Sequence, residues 1–130
     1  MRPIFIISCL FLALLACKNT KKIDKETKTS AKILFNEKSH DFGFISLKDS
    51  IEHDFVIENI GEVPLIIQSV KASCGCTVPG WSSKPILPLA KSVVKVKFKP
   101  KDKGVVNKSI VLQANTDSMF HVFYLKGNVR

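Results

Sequence analysis

A chain of 130 residues that is 45% hydrophobic has the length and apolar content of one globular domain with a single core. Its formal charge of +9 suits anionic headgroups or acidic surface polymers, and with no nucleic-acid-binding motif behind it, a nucleic-acid role is set aside. There is no G-x-S-x-G, no P-loop, no H-E-x-x-H and no carboxylate pair, so an enzyme is not expected.

The chain opens with MRPIFIISCLFLALLA, which starts on a positive charge at Arg2, runs apolar from Ile4 and ends on small Ala16. This is the layout of a secretory signal. A membrane-spanning helix needs about 20 apolar residues, and this run is shorter and gives way at once to Lys18, Asn19 and Thr20, so cleavage is expected rather than a permanent span. Leu14-Leu15-Ala16-Cys17 resembles the bacterial lipoprotein processing box. That resemblance implies that Cys17 becomes the first residue of the mature chain, carrying a diacylglycerol thioether and an acylated amine, a stable lipid anchor where one acyl chain would bind only marginally. It places the protein in the bacterial cell envelope, membrane-anchored and facing the periplasm or the exterior. Removal of Arg2 leaves the mature charge at 9 − 1 = +8. Of the four cysteines, Cys9 leaves with the signal and Cys17 is lipidated, so Cys74 and Cys76 remain.

Residues 17–32 hold the lipidated cysteine and a Lys- and Thr-rich stretch whose only large apolar residue is Ile23, a composition that cannot offset its own ordering entropy and reads as a flexible tether. The β domain is expected over 33–130. Ile33-Leu34-Phe35 and Asp41 to Ile45 are two short strand-like pieces, with Gly43 marking a bulge or close backbone approach. Ile51, Phe55 and Ile57 alternate against Glu52, Asp54 and Glu58, which predicts a half-buried strand with His53 at the rim. Asn59 to Glu62 carries turn chemistry, and Pro64 leads into Leu65 to Val70, whose apolar start predicts a central strand covered on both sides.

The strand empties into Cys74-Gly75-Cys76. Val78 to Pro88 is too rich in Pro, Gly and Ser for one regular element, and Trp81 within it is expected to cap one end of the core. Val94, Val96 and Phe98 then alternate strictly with Lys95, Lys97 and Lys99, a strand whose lysines form a solvated face that discourages edge aggregation. A turn at Pro100 to Gly104, a strand through Ile110, Leu112 and Ala114, a turn at Ala114 to Ser118 and a closing run from Met119 to Val129 complete the chain. In that last run apolar residues occupy both parities, so pattern alone assigns no inward face.

Six to eight short strands, about seven, with no amphipathic helical stretch predict an all-β antiparallel sandwich of immunoglobulin-like type. Antibody-type cysteine spacing is absent. Core cohesion therefore rests on the Ile, Val, Leu and Phe faces.

The pieces HDFGFI, ENIGEVPLII, SCGCTVPGW, PILP, VKVKFKP and LKGNV, spread over about Phe35 to Val129, resemble the DUF1573 family of domains of unknown function. Its most specific element is Ser73-Cys74-Gly75-Cys76-Thr77. The resemblance implies a sandwich similar to those of periplasmic pilus chaperones and major sperm proteins, common among exported bacterial lipoproteins, and brings no activity with it. Members often carry glycine after the last proline of PILP, where this chain has Leu89.

Three readings of Cys74-Gly75-Cys76 stay open. The thiols can form a disulfide, as an oxidising compartment invites; the chain must then bend at Gly75, and the bond would be strained and easily reduced. The thiolates can bind a soft metal, Cu(I) or Zn, with help from His40, His53 or His121, although only two of the four ligands of a closed site stand at motif spacing. The tip can also be structural, small residues that let the chain leave the sheet and pack beneath Trp81. Thioredoxin-type redox catalysis is disfavoured by the missing C-x-x-C at a helix start. No metal or cofactor is predicted. The expected role is that of a lipid-anchored immunoglobulin-like module, a protein-interaction or structural component of the envelope, with thiol redox or soft-metal binding at the tip as the alternative.

Overall fold

A computed structural model of the protein describes residues 30–130. The signal, Cys17 and the tether up to residue 29 lie outside the described residues. Eight strands form, in chain order β1 (Ile33–Phe35), β2 (Ser39–Ile45), β3 (Ile51–Asn59), β4 (Ile67–Ala72), β5 (Thr77–Gly80), β6 (Lys91–Phe98), β7 (Gly104–Ala114) and β8 (Phe120–Val129), and no helix occurs among the described residues. They make two four-stranded sheets, ordered β1-β3-β6-β5 and β2-β8-β7-β4. All pairings are antiparallel except that of β2 with β8.

The sheets bury their alternating apolar faces against each other. Phe55 and Ile57 from β3 and Val94, Val96 and Phe98 from β6 meet Ile110 and Leu112 from β7 and Phe123 and Leu125 from β8. The rings of Phe55 and Phe123 join the layers at 4.6 Å between centroids. The ambiguous closing strand is resolved by this packing: Phe123, Leu125 and Val129 point in, while Phe120, Val122 and Tyr124 point out.

On the outer face of the first sheet the lysines stand beside acids. Glu52 pairs in register with Lys97 and Asp54 with Lys95, and the Lys95 ammonium lies 2.7 Å from Glu52 and 3.7 Å from Asp54. The hydrogen bond from Lys95, followed by that from Lys97, holds the Glu52 carboxyl below its ordinary value. The bulge expected at Gly43 is present: the β2–β8 register shifts between Asp41 and Phe44, Gly43 has φ 71°, and its N–H donates to the Asp41 carboxylate at 2.8 Å.

Three expectations are corrected. The Leu-Ile-Ile run does not begin a central strand, because β4 lies at the edge of its sheet and Ile66 is exposed between buried Leu65 and Ile67. Leu65 instead exchanges both backbone hydrogen bonds with Ile86, each at 2.8 Å, and Ile86 of the PILP piece is buried beside it. Trp81 does not cap the core: it is exposed, outside the set of side chains packed on that core. The folded domain also takes in Ala31 and Lys32, since Ala31 is buried and donates to Asn115, and the Lys32 carbonyl accepts from Ile60.

Asn59, expected in a turn, ends β3 as a buried polar centre. Its amide nitrogen donates to the carbonyls of Val63 at 2.8 Å and Ile86 at 2.9 Å, and its side-chain oxygen accepts from Gly61 N–H at 2.9 Å. Every hydrogen-bonding position of this amide that the apolar surroundings would otherwise orphan is thus filled.

Candidate functional site at the Cys74–Cys76 corner

β4 belongs to the second sheet and β5 to the first, so residues 73–76 are the place where the chain crosses between layers. The crossing is tied to both sides. Ser73 N–H donates to the Ser109 carbonyl on β7 at 2.9 Å, and the Cys76 carbonyl accepts from Lys99, just past β6, at 3.0 Å. Within the corner, Thr77 N–H closes a turn onto the Cys74 carbonyl at 3.2 Å. Thr77 itself is buried, with its hydroxyl 3.7 Å from the Cys74 sulfur and 4.0 Å from that of Cys76.

The two sulfurs stand at bonding distance, with their Cα atoms 5.3 Å apart, inside the range a disulfide accepts. Gly75 is not needed for the bend as glycine: its backbone is not in the left-handed region, and a β-carbon added there would meet nothing within 4 Å. Both cysteine side chains are half-buried, and Cys76 packs on the core.

Two open cavities adjoin the corner and share Gly75, Cys76, Phe98 and Lys101 in their linings. The larger, about 610 Å³, has Ile51, Cys76, Val78 and Phe98 as apolar lining, with Lys97, Lys99 and Lys101 around it and Glu52 as its one acid. The smaller, about 310 Å³, is lined by Cys74, Cys76 and Val106 with Lys101, Lys103 and Lys108, against one acid, Asp102. Lysines concentrated around an apolar recess favour a ligand that is apolar at its centre and negatively charged at its margins.

The histidines named as helpers for a soft metal are elsewhere. His121 shares a 2.7 Å hydrogen bond with the Thr116 hydroxyl, and burial, then repulsion from Lys38, holds its imidazole below the ordinary value. His40 and His53 stack on each other with ring centroids 3.5 Å apart and planes 9° apart, and Glu37 reaches both. Among the described residues no group of three or more metal-ligating side chains includes Cys74 or Cys76. The Glu37–His40–His53 grouping was not legible in sequence, because its members come from a loop and from strands of different sheets.

Comparison with known structures places this arrangement among β-sandwiches. The chain is similar to a protein of unknown function from Porphyromonas gingivalis, with a TM-score of 0.70 at 14% identity over 81% of this chain; it spans 51% of that structure. It is also similar to a PapD-like domain of human CEP192, with a TM-score of 0.64 at 15% identity, covering 78% of this chain and 87% of that one. The VesB protease of Vibrio cholerae contains a similar region, with a TM-score of 0.58 at 10% identity, covering 81% of this chain and 32% of that one. At these identities the likeness is one of fold. No curated protein matches the chain. Residues 33–129, which hold all eight strands and the Ser73-Cys74-Gly75-Cys76-Thr77 corner, match the family described as Protein of unknown function (DUF1573), and the chain belongs to that family.

Proposed function

We propose that this protein is a lipid-anchored module of the bacterial cell envelope, fastened through Cys17 and a flexible tether, that works by binding another protein at the Cys74–Cys76 corner rather than by catalysis. One observation carries the reading: the 610 Å³ recess beside the corner joins an apolar lining from Ile51, Val78 and Phe98 to a margin of Lys97, Lys99 and Lys101. That chemistry suits a partner segment that inserts an apolar side chain flanked by Asp or Glu. The lipid anchor restricts the search to partners at the same membrane.

The test uses the full chain expressed with its own signal, crosslinked in envelope membranes and recovered by affinity tag. A discrete partner band is expected, weakened by Lys99→Glu with Lys101→Glu and by raised salt. Recovery of no partner above background, or of one indifferent to both charge reversals, would refute binding at this corner.

A second reading is favoured by the placement of Cys74 and Cys76, whose Cα atoms stand 5.3 Å apart, within the range a disulfide accepts. In the mature protein these two form a disulfide that fastens the crossing between sheets. Intact-mass measurement with an alkylating agent, before and after reduction, checks it. Alkylation only after reduction is expected; two thiols alkylated without a reductant would sink the bond.

A further inference from the structure

The geometry points to a divalent transition-metal site, of the kind that takes Zn(II) or Cu(II), formed by Glu37, His40 and His53. Glu37 lies between β1 and β2, His40 on β2 of the second sheet and His53 on β3 of the first, so one ion here would clip the two layers together at their rim. Each of the three side chains offers one ligand atom, and these atoms lie within 4.8 Å of one another. The Glu37 carboxylate stands 2.6 Å from His53 Nε2 and 3.8 Å from His40 Nδ1.

Two ligands on a tetrahedral zinc at about 2.0–2.2 Å each stand roughly 3.4 Å apart, so the most widely spaced atoms of the set must close by up to about 1.4 Å, while Glu37 and His53, 2.6 Å apart, must open by about 0.8 Å. His53 Nε2–H donates to the Glu37 carboxylate at 2.6 Å, so an ion must displace that proton, and the two imidazoles, stacked with their planes 9° apart, must tilt for their nitrogens to converge on it. The site's place at the rim permits this, since the three side chains are 20% to 33% exposed. Phe55 packs edge-on beneath His53 at 4.8 Å, giving the site a dry inner wall.

The donor set selects the metal. Two imidazoles and one carboxylate suit zinc or copper, whereas calcium and magnesium call for more oxygen ligands. Three protein ligands leave a fourth position for water or for a donor from a bound partner. Neither cysteine belongs to the group, so this site is separate from the Cys74–Cys76 corner and does not depend on the function proposed there.

The experiment is calorimetric titration of the metal-stripped full chain with ZnCl₂ and, separately, CuCl₂, with unfolding temperature recorded alongside. One ion per chain is expected, with dissociation in the micromolar range or tighter and a rise in unfolding temperature on loading. His53→Gln and Glu37→Gln should each weaken binding at least tenfold. His121→Gln and the paired substitution Cys74→Ser with Cys76→Ser should leave it unchanged. Should His53→Gln unfold the domain, Glu37→Gln, outside the strands, carries the test. Absence of one-to-one binding, or equal loss in His121→Gln, would overturn the assignment.

Discussion

The ring of Phe42 on β2 occupies the place that a β-carbon on Gly127 of β8 would take. Because β2 is joined to its sheet only through β8, this contact sets how closely that edge strand can sit. Phe42 in turn stacks on Phe98 across the core at 5.7 Å. Gly127→Ala must push that ring, and the strand carrying it, away. An expected loss of about 2–3 kcal/mol follows from overpacking, measured by urea unfolding. A change under about 0.5 kcal/mol would mean that Phe42 moves aside freely.

Asn59 links the end of β3 to the segments on either side of Leu65. Asn59→Ala removes the side-chain partners of the Val63 carbonyl and of Gly61 N–H, and one of the two donors to the Ile86 carbonyl, which keeps Leu65 N–H. Leaving the two half-buried groups without this partner should cost about 1–3 kcal/mol, and the drop in unfolding temperature measures it. Asn59→Asp, which keeps the acceptor and loses the donor, should recover only the Gly61 bond.

Leu89 sits at φ 65°, a left-handed conformation that disfavours residues bearing a β-carbon. Its side chain is 78% exposed and so contributes little packing, while its N–H donates to the Asn59 carbonyl at 2.8 Å. The chain keeps here a backbone geometry that suits glycine although it carries leucine. Leu89→Gly should therefore stabilise the domain by about 0.5–1 kcal/mol, net of the entropy glycine adds to the unfolded chain. Equilibrium denaturation decides the sign.

Joining Cys74 to Cys76 closes a loop of only three residues, and the chain-entropy relation then gives about 1.5 kcal/mol. Reduction should lower the unfolding temperature by about 6–10 °C without unfolding the domain at room temperature. Gly75→Ala, for which there is open space, should leave the bond and the stability intact. Calorimetry with and without a reductant measures the first effect, and mass spectrometry of the variant the second.

His121 makes stability depend on pH in a definite direction. Burial and then Lys38 lower its folded value from 6.5, so between that lowered value and 6.5 the unfolded chain binds more protons than the folded one. Stability should fall as pH drops through this window and owe nothing to this group above it. Denaturation midpoints at pH 7.5 and 5.5 should lie closer together in His121→Gln than in the parent, with His40 and His53 unchanged in both. An NMR titration of His121 placing its midpoint at or above 6.5 would reject the mechanism.

Period-two alternation was enough to read β3 and β6, because Ile51, Phe55 and Ile57 and then Val94, Val96 and Phe98 each face one core. The family resemblance and the Cys-Gly-Cys element were legible for the same reason: they are local strings of residues. Leu65 to Ile67 misled because an apolar run does not tell whether its neighbour is a strand or a loop; pairing with Ile86 buries Leu65 and leaves Ile66 outside. Trp81 misled because size alone does not bring a side chain to the core.

By itself the sequence determined which residues alternate, where the turns fall and that a β-sandwich results, since these depend on the chemistry of near neighbours along the chain. Only the tertiary structure decided that residues 73–76 are the crossing between sheets, that β8 points Phe123 and Leu125 inward, and that Glu37, His40 and His53 meet. Those outcomes depend on how two sheets are ordered and set in register, and that choice is made by contacts between residues far apart in the chain, which no local pattern records.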